Sequence, residues 1–241
     1  NYRLLNLSFR INNVKSAPEF YDAVTGKSWR ASDWKLKDGR LEMQIKLEAN
    51  ASVFVTFNRN APIATPIAGK ANYESFSTAQ VLTGDWKVSF DASYGGPAKP
   101  LIFPALQDWS KSTDTLVKYY SGTAIYTKTF KHKGKKVKEN GQEQIFLDLS
   151  KVANMATIKV NGVNCGTVWT APYRVDITKA LKSGDNELSI EVSNTWANRI
   201  IGDQRLPEGK RITQTNAPFR LAGKPLMEAG LLGPVSIQTI K

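Results

Sequence analysis

The chain has 241 residues, 33 Lys+Arg against 21 Asp+Glu for a formal net charge of +12, one histidine and one cysteine. That length has room for one or two domains with real cores, and no apolar run approaches the ~20 residues that a membrane span requires. A single cysteine excludes an internal disulfide and a thiolate metal cluster, and the lone His132 sits in the run Lys131 to Lys138, which has no carboxylate to orient a catalytic imidazole.

Much of the positive excess lies in that same run, between a strand ending at Phe130 and one starting near Gln144. It reads as a hairpin tip. No aromatic residue interleaves the lysines, so a nucleic-acid surface is not expected, whereas long-range attraction to an anionic polysaccharide would use the same charge.

The chain begins without Met or a signal peptide, and Tyr2 to Phe9 already reads as a strand, so its natural start is expected upstream. Residues 1–58 predict a small, partial β-sandwich. Leu5, Leu7, Phe9 and Ile11 alternate with polar residues on one strand, Leu41, Met43, Ile45 and Leu47 on another, and Val53 to Phe57 closes the set as a more buried strand. The turns are Val24 to Lys27 and Lys37 to Arg40. About four strands in so short a stretch make a thin core, to be completed upstream or by packing. Residues 59–80, with Pro62, Pro66 and Gly69 among small polar residues, read as an extended linker packed against one domain.

Residues 81–241 predict a larger β domain. Trp86, Val88 and Phe90 alternate; Asp91 to Pro100 is a Gly/Pro loop; Leu101 to Phe103 is a short strand; Tyr119 to Phe130 is a long one rich in aromatic and β-branched residues. Ile145 to Leu149 follows, then a meander: Ala156 to Val160, the Asn161-Gly162 dipeptide of a type I′ hairpin, a strand through Val168-Trp169 that Pro172 interrupts, which points to an edge or a bend, a short helical turn at Asp176 to Leu181, and the alternating strand Glu187 to Val192. Thr195 to about Gly230 is read as a loop before a last strand at Val235, Ile237 and Ile240. The expected fold is all-β: a small partial sandwich, then a jelly-roll sandwich.

Particular residues carry a family resemblance. Tyr120-Ser121-Gly122-Thr123-Ala124-Ile125-Tyr126 with Thr129-Phe130 resembles a strand of the sugar-binding domains of glycoside hydrolase family 2 and its relatives. Val160-Asn161-Gly162 to Gly166 and Pro172-Tyr173-Arg174-Val175-Asp176-Ile177-Thr178 resemble the core of the same galactose-binding-like jelly roll. Thr195 to Asp203, Leu206-Pro207 and Gly230 to Val235 are similar to the C-terminal end of family 106, the α-L-rhamnosidases. The resemblance implies a non-catalytic accessory region of a periplasmic or secreted bacterial glycoside hydrolase, with an upstream catalytic barrel and carbohydrate as partners. The family's catalytic carboxylates sit on that barrel, and none of them transfers to this chain.

Glycoside hydrolysis needs two carboxyl groups ~5–10 Å apart across the sugar. Asp148, Asp176 and Asp185 stand beside turns, where Asp accepts local backbone hydrogen bonds; Asp108 and Asp203 are left open. No catalytic residue is therefore assigned. For sugar contact, Trp196, Asn198, Arg199, Asp203 and Gln204 combine an aromatic face with paired hydrogen-bonding groups; the structural alternative has Trp196 anchored in the core and Arg199 paired with Asp203. Trp109 and Tyr119-Tyr120 form a weaker cluster, better explained by packing. No cofactor is expected. The resemblance makes a structural Ca²⁺ in the Asp91–Gly96 loop conceivable, although no D-x-D-x-D pattern occurs. The rival to an accessory region is a free-standing carbohydrate-binding or adhesion module.

Overall fold

The computed structural model describes residues 2–11, 16–58, 62–133, 144–215, 221 and 223–240. It divides into two compact units, one running to Ser75 and the other Phe76–Ile240.

The first unit is built from β1 (Arg3–Arg10), β2 (Glu19–Asp22), β3 (Ser28–Arg30), β4 (Lys35–Lys37), β5 (Arg40–Leu47) and β6 (Val53–Thr56). These form two antiparallel three-stranded sheets, ordered β1-β5-β4 and β3-β2-β6. Asp38 and Gly39 both take positive φ, 49° and 72°, which closes the tight β4–β5 turn. The alternation read from the sequence decides which side of β5 is dry: Leu41, Met43 and Ile45 join Phe20, Ala31 and Trp34 in the core.

Two details depart from the sequence reading. Val53 to Phe57 is not the more buried strand expected, because Phe54 is 64% exposed while Val53 and Val55 turn inward. The stretch read as a linker is divided between the units. Ala64 and Tyr73 pack on the first core, and Asn72 stitches that unit, its Oδ1 accepting the Ser32 and Asp33 N–H groups at 2.8 and 2.7 Å. Its Nδ2 donates to the carbonyls of Asp33 and Gln44. The second unit then starts with a strand at Phe76.

That unit contains β7 (Phe76–Val81), β8 (Trp86–Ser89), β9 (Leu101–Phe103), the one-turn α1 (Thr115–Lys118), β10 (Thr123–His132), β11 (Ile145–Asp148), β12 (Val152–Ala153), β13 (Met155–Val160), β14 (Val163–Val168), β15 (Arg174–Asp176), β16 (Gly184–Ser193), α2 (Ala197–Asp203), β17 (Gly230–Leu231) and β18 (Ser236–Ile240). A six-stranded sheet, β14-β13-β16-β10-β8-β9, and a four-stranded one, β15-β11-β18-β7, form the sandwich, with β12 and β17 as an extra pair. Every strand pairing is antiparallel, so the unit is the all-β sandwich expected.

Period-2 patterning sets its dry faces. Ala124, Tyr126 and Phe130 of β10 meet Leu188, Ile190 and Val192 of β16 and Ala156, Ile158 and Val160 of β13 in one core. Asn161 and Gly162 both carry positive φ, at 52° and 79°, as the β13–β14 turn requires. β14 is an edge strand, in keeping with the Pro172 that follows it. The lysine run was read as a hairpin tip, but the strands on either side of it, β10 and β11, belong to different sheets and do not pair; the run beyond Lys133 lies outside the described residues.

Candidate functional site

The sequence-selected residues gather on α2, within a stretch read as loop. Periodicity gave no sign of this seven-residue helix, and its cap position, Trp196, makes no side-chain cap bond. A helix this short is marginal alone. Tertiary contacts hold it. The Ser121 hydroxyl accepts the Arg199 N–H at 3.1 Å, and Gly202 lies so close to the Tyr119 ring that an added Cβ would sit 2.6 Å from its Cγ.

Two of the candidate side chains hold the long connection that follows. Asn198 is buried and clasps one residue twice, its Nδ2 donating to the Met227 carbonyl at 2.7 Å and its Oδ1 accepting the Met227 N–H at 2.8 Å. Asp203 is 2% exposed. Its Oδ2 accepts the N–H of Ile212 and the N–H and hydroxyl of Thr213 at 3.0, 2.7 and 2.7 Å, and its Oδ1 faces Arg199 Nη1 at 3.4 Å. These bonds commit the polar groups of both side chains to the loop that α2 precedes.

The remaining candidates differ. Trp196 is 53% exposed, so it does not anchor the loop in the core; its ring meets Tyr94 edge-on at 6.0 Å between centroids. Gln204 is exposed at the helix end. Arg199 is 6% exposed, yet its Nε and Nη2 have no hydrogen-bond partner among the described residues, an unusual state for a buried cation. Tyr94, 43% exposed beside Trp196, was missed by the sequence reading, since nothing local distinguishes a tyrosine in a Gly/Pro loop.

Beneath this end lies the second cluster, and there packing wins. Trp109, Tyr120 and Tyr126 are fully buried with Phe90. The Trp109 Nε1–H donates to the Tyr126 hydroxyl at 2.6 Å, and the Leu231 N–H donates to the same oxygen at 3.2 Å. Burial pushes the Tyr126 hydroxyl far above the usual phenol range. Tyr119 instead reaches the surface, where its hydroxyl accepts from Arg205 at 2.8 Å.

Five aspartates behave as local caps, whereas Asp185, expected beside a turn, lies on β16. Asp91, Asp108, Asp114, Asp148 and Asp176 each accept the N–H two residues on, from Ser93, Ser110, Leu116, Ser150 and Thr178. Asp108, one of the two left open by the sequence, also accepts the Ala229 N–H. Asp148 pairs with Arg174 at 2.8 Å, and that guanidinium lies over Phe76. Cys165 is half-buried, and its desolvation raises the thiol pKa, away from nucleophile chemistry.

In the Asp91–Gly96 loop, the Ser93 N–H and hydroxyl both donate to Asp91 Oδ1, holding that carboxyl below its ordinary range. The Arg199 guanidinium also lies against Gly95, with Nη2 3.4 Å from where a Cβ would stand, which places positive charge beside the loop.

Residues 107–224 match the family described as glycosyl hydrolase 2 galactose-binding domain-like. The second unit contains a galactose-binding-like domain. A curated protein of Formosa agariphila, provisionally named a beta-glucuronidase, is 34% identical over 211 residues, covering 73% of this chain and 18% of that protein. The solved rhamnosidase from Novosphingobium sp. PP1Y is 36% identical with a TM-score of 0.81, over 99% of this chain and 22% of that one. The chain thus spans about a fifth of the length of either relative. Among the described residues, no helix is long and apolar enough to cross a membrane. The galactose-binding-like domain lies within a chain related to glycoside hydrolases, and it carries the α2 cluster.

Proposed function

We propose that this chain is a non-catalytic accessory β-sandwich region of a bacterial glycoside hydrolase of the α-L-rhamnosidase type, acting on plant-type polysaccharide or glycoside in the periplasm or outside the cell. In this reading it buttresses a catalytic barrel elsewhere in the parent protein, and its α2 end faces that barrel and its sugar. One observation carries the reading: likeness to the Novosphingobium rhamnosidase runs through both units, over nearly the whole of this chain but only 22% of that one. The cap bonds of the carboxylates support it, since a group committed to backbone N–H donors is poorly placed to shuttle protons to a glycosidic oxygen.

Trp196 and Gln204 are the exposed groups left for sugar; Asn198 and Asp203 shape the surface by fixing the loop. The test uses the full natural reading frame. The complete protein is expected to hydrolyse an aryl α-L-rhamnoside, and the same protein lacking the residues of this chain is expected to lose activity through lost thermal stability. A reading frame that encodes no further domain would overturn the proposal and favour the free-standing carbohydrate-binding module.

A further inference from the structure

Arg199 has a feature that loop-holding does not use. Asp203 meets it through Nη1, and the two unpartnered nitrogens are Nε and Nη2. Those two form one edge of the guanidinium, where parallel N–H bonds make the fork that matches both oxygens of a carboxylate. A buried fork left wholly empty is costly, so it implies an acceptor.

The surroundings narrow the acceptor's chemistry. The guanidinium lies against Gly95, with Cζ 3.5 Å from where a Cβ would stand, at ordinary van der Waals contact. Tyr94 precedes that glycine. Trp196 stands one helical turn before Arg199 and therefore on its side of α2. The two exposed rings meet edge-on, one next to the glycine that the guanidinium touches and one a turn before Arg199 on α2. An aromatic corner takes the apolar face of a pyranose, and a fork takes a carboxylate. The net charge of +12 favours an anionic glycan at longer range.

We propose that the Nε/Nη2 edge of Arg199 reads the carboxylate of an acidic, uronate-type sugar seated on the Tyr94–Trp196 corner. The fork is covered in this structure. Ile212 packs over Gly95, on a strap whose N–H groups Asp203 holds, so binding requires the Ile212 side chain to swing aside. The assignment rests on the glycan-facing reading of the α2 end. Glycoside turnover by the chain alone would unseat the non-catalytic reading and leave the following titration unaffected.

The test is titration of the chain with methyl β-D-glucuronide, methyl β-D-glucoside and acetate, followed by calorimetry and tryptophan fluorescence. The uronide is expected to bind with a change in tryptophan emission, and the glucoside and acetate at least about tenfold more weakly. Arg199→Lys keeps the charge but loses the fork, and should weaken the uronide about tenfold or more. Ile212→Ala uncovers the fork and should tighten binding a few-fold. Equal affinity for uronide and glucoside, or for uronide and acetate, overturns the assignment. So does wild-type affinity in Arg199→Lys, and so does silence with all three probes, which leaves the edge to ordered water alone. Should Arg199→Lys not fold, Ile212→Ala decides, and unchanged affinity there counts against the site.

Discussion

Asp203→Ala is the substitution whose consequence can be worked furthest from the structure. It removes the acceptor of three hydrogen bonds from Ile212 and Thr213 and the counter-charge of Arg199, a pair with side chains 7% and 3% exposed. Breaking one partner of a buried ion pair costs about 3–5 kcal/mol, because the remaining charge stays in a poor solvent. For a unit of this size each kcal/mol is worth about 2–4 °C in Tm. The thermal transition of the second unit should therefore fall by about 6–20 °C, read by scanning calorimetry, with faster amide exchange at Ile212 and Thr213. Combining Arg199→Met with Asp203→Leu should recover part of the loss, since an apolar pair of similar volume is often neutral in place of a buried ionic one. A loss below about 1 kcal/mol, the range of exposed pairs, would refute the claim that this carboxylate latches the loop.

Other outcomes follow from the same coordinates. Asn72→Ala leaves the N–H groups of Ser32 and Asp33 without their acceptor and should cost about 2–4 kcal/mol, lowering the transition of the first unit and leaving that of the second in place by calorimetry. Gly230 has φ +99°, and a Cβ there would stand 2.5 Å from Trp109 Nε1; Gly230→Ala should cost about 2 kcal/mol or more, measured by urea unfolding. Tyr126 has its folded-state pKa raised by burial, so its contribution is fully present below the unfolded phenol value of about 10 and is lost as pH rises above it. Urea midpoints should hold from neutral pH to about pH 9 and fall beyond pH 10. Tyr126→Phe, although less stable at neutral pH, should show a shallower alkaline slope.

Where one side of a strand must be dry, the sequence declared it. The alternations in β5, β8, β13 and β16 and the Asn161-Gly162 turn were legible because period 2 and positive φ leave marks on residue type. Phe54 was misread because a run of three apolar residues looks the same whether one face is dry or two. The helix α2 was not legible, since its cap is a tryptophan and its stability comes from Tyr119 and Ser121, over 70 residues away in sequence. The same limit governs the candidate site. Residue types that suit a sugar can be read from the sequence only as types; whether Asn198 and Asp203 face a ligand or a loop depends on where Met227 and Thr213 return. Tyr94 joins Trp196 only through the fold.

The central claim is that this chain lends support and surface to a catalytic centre that lies outside it. Incubating the purified chain with an aryl α-L-rhamnoside and an aryl β-D-glucuronide tests it most directly. Release of the aryl group should not exceed that in buffer at any protein concentration. Release that scales with protein and disappears on replacing a single carboxylate would contradict the claim.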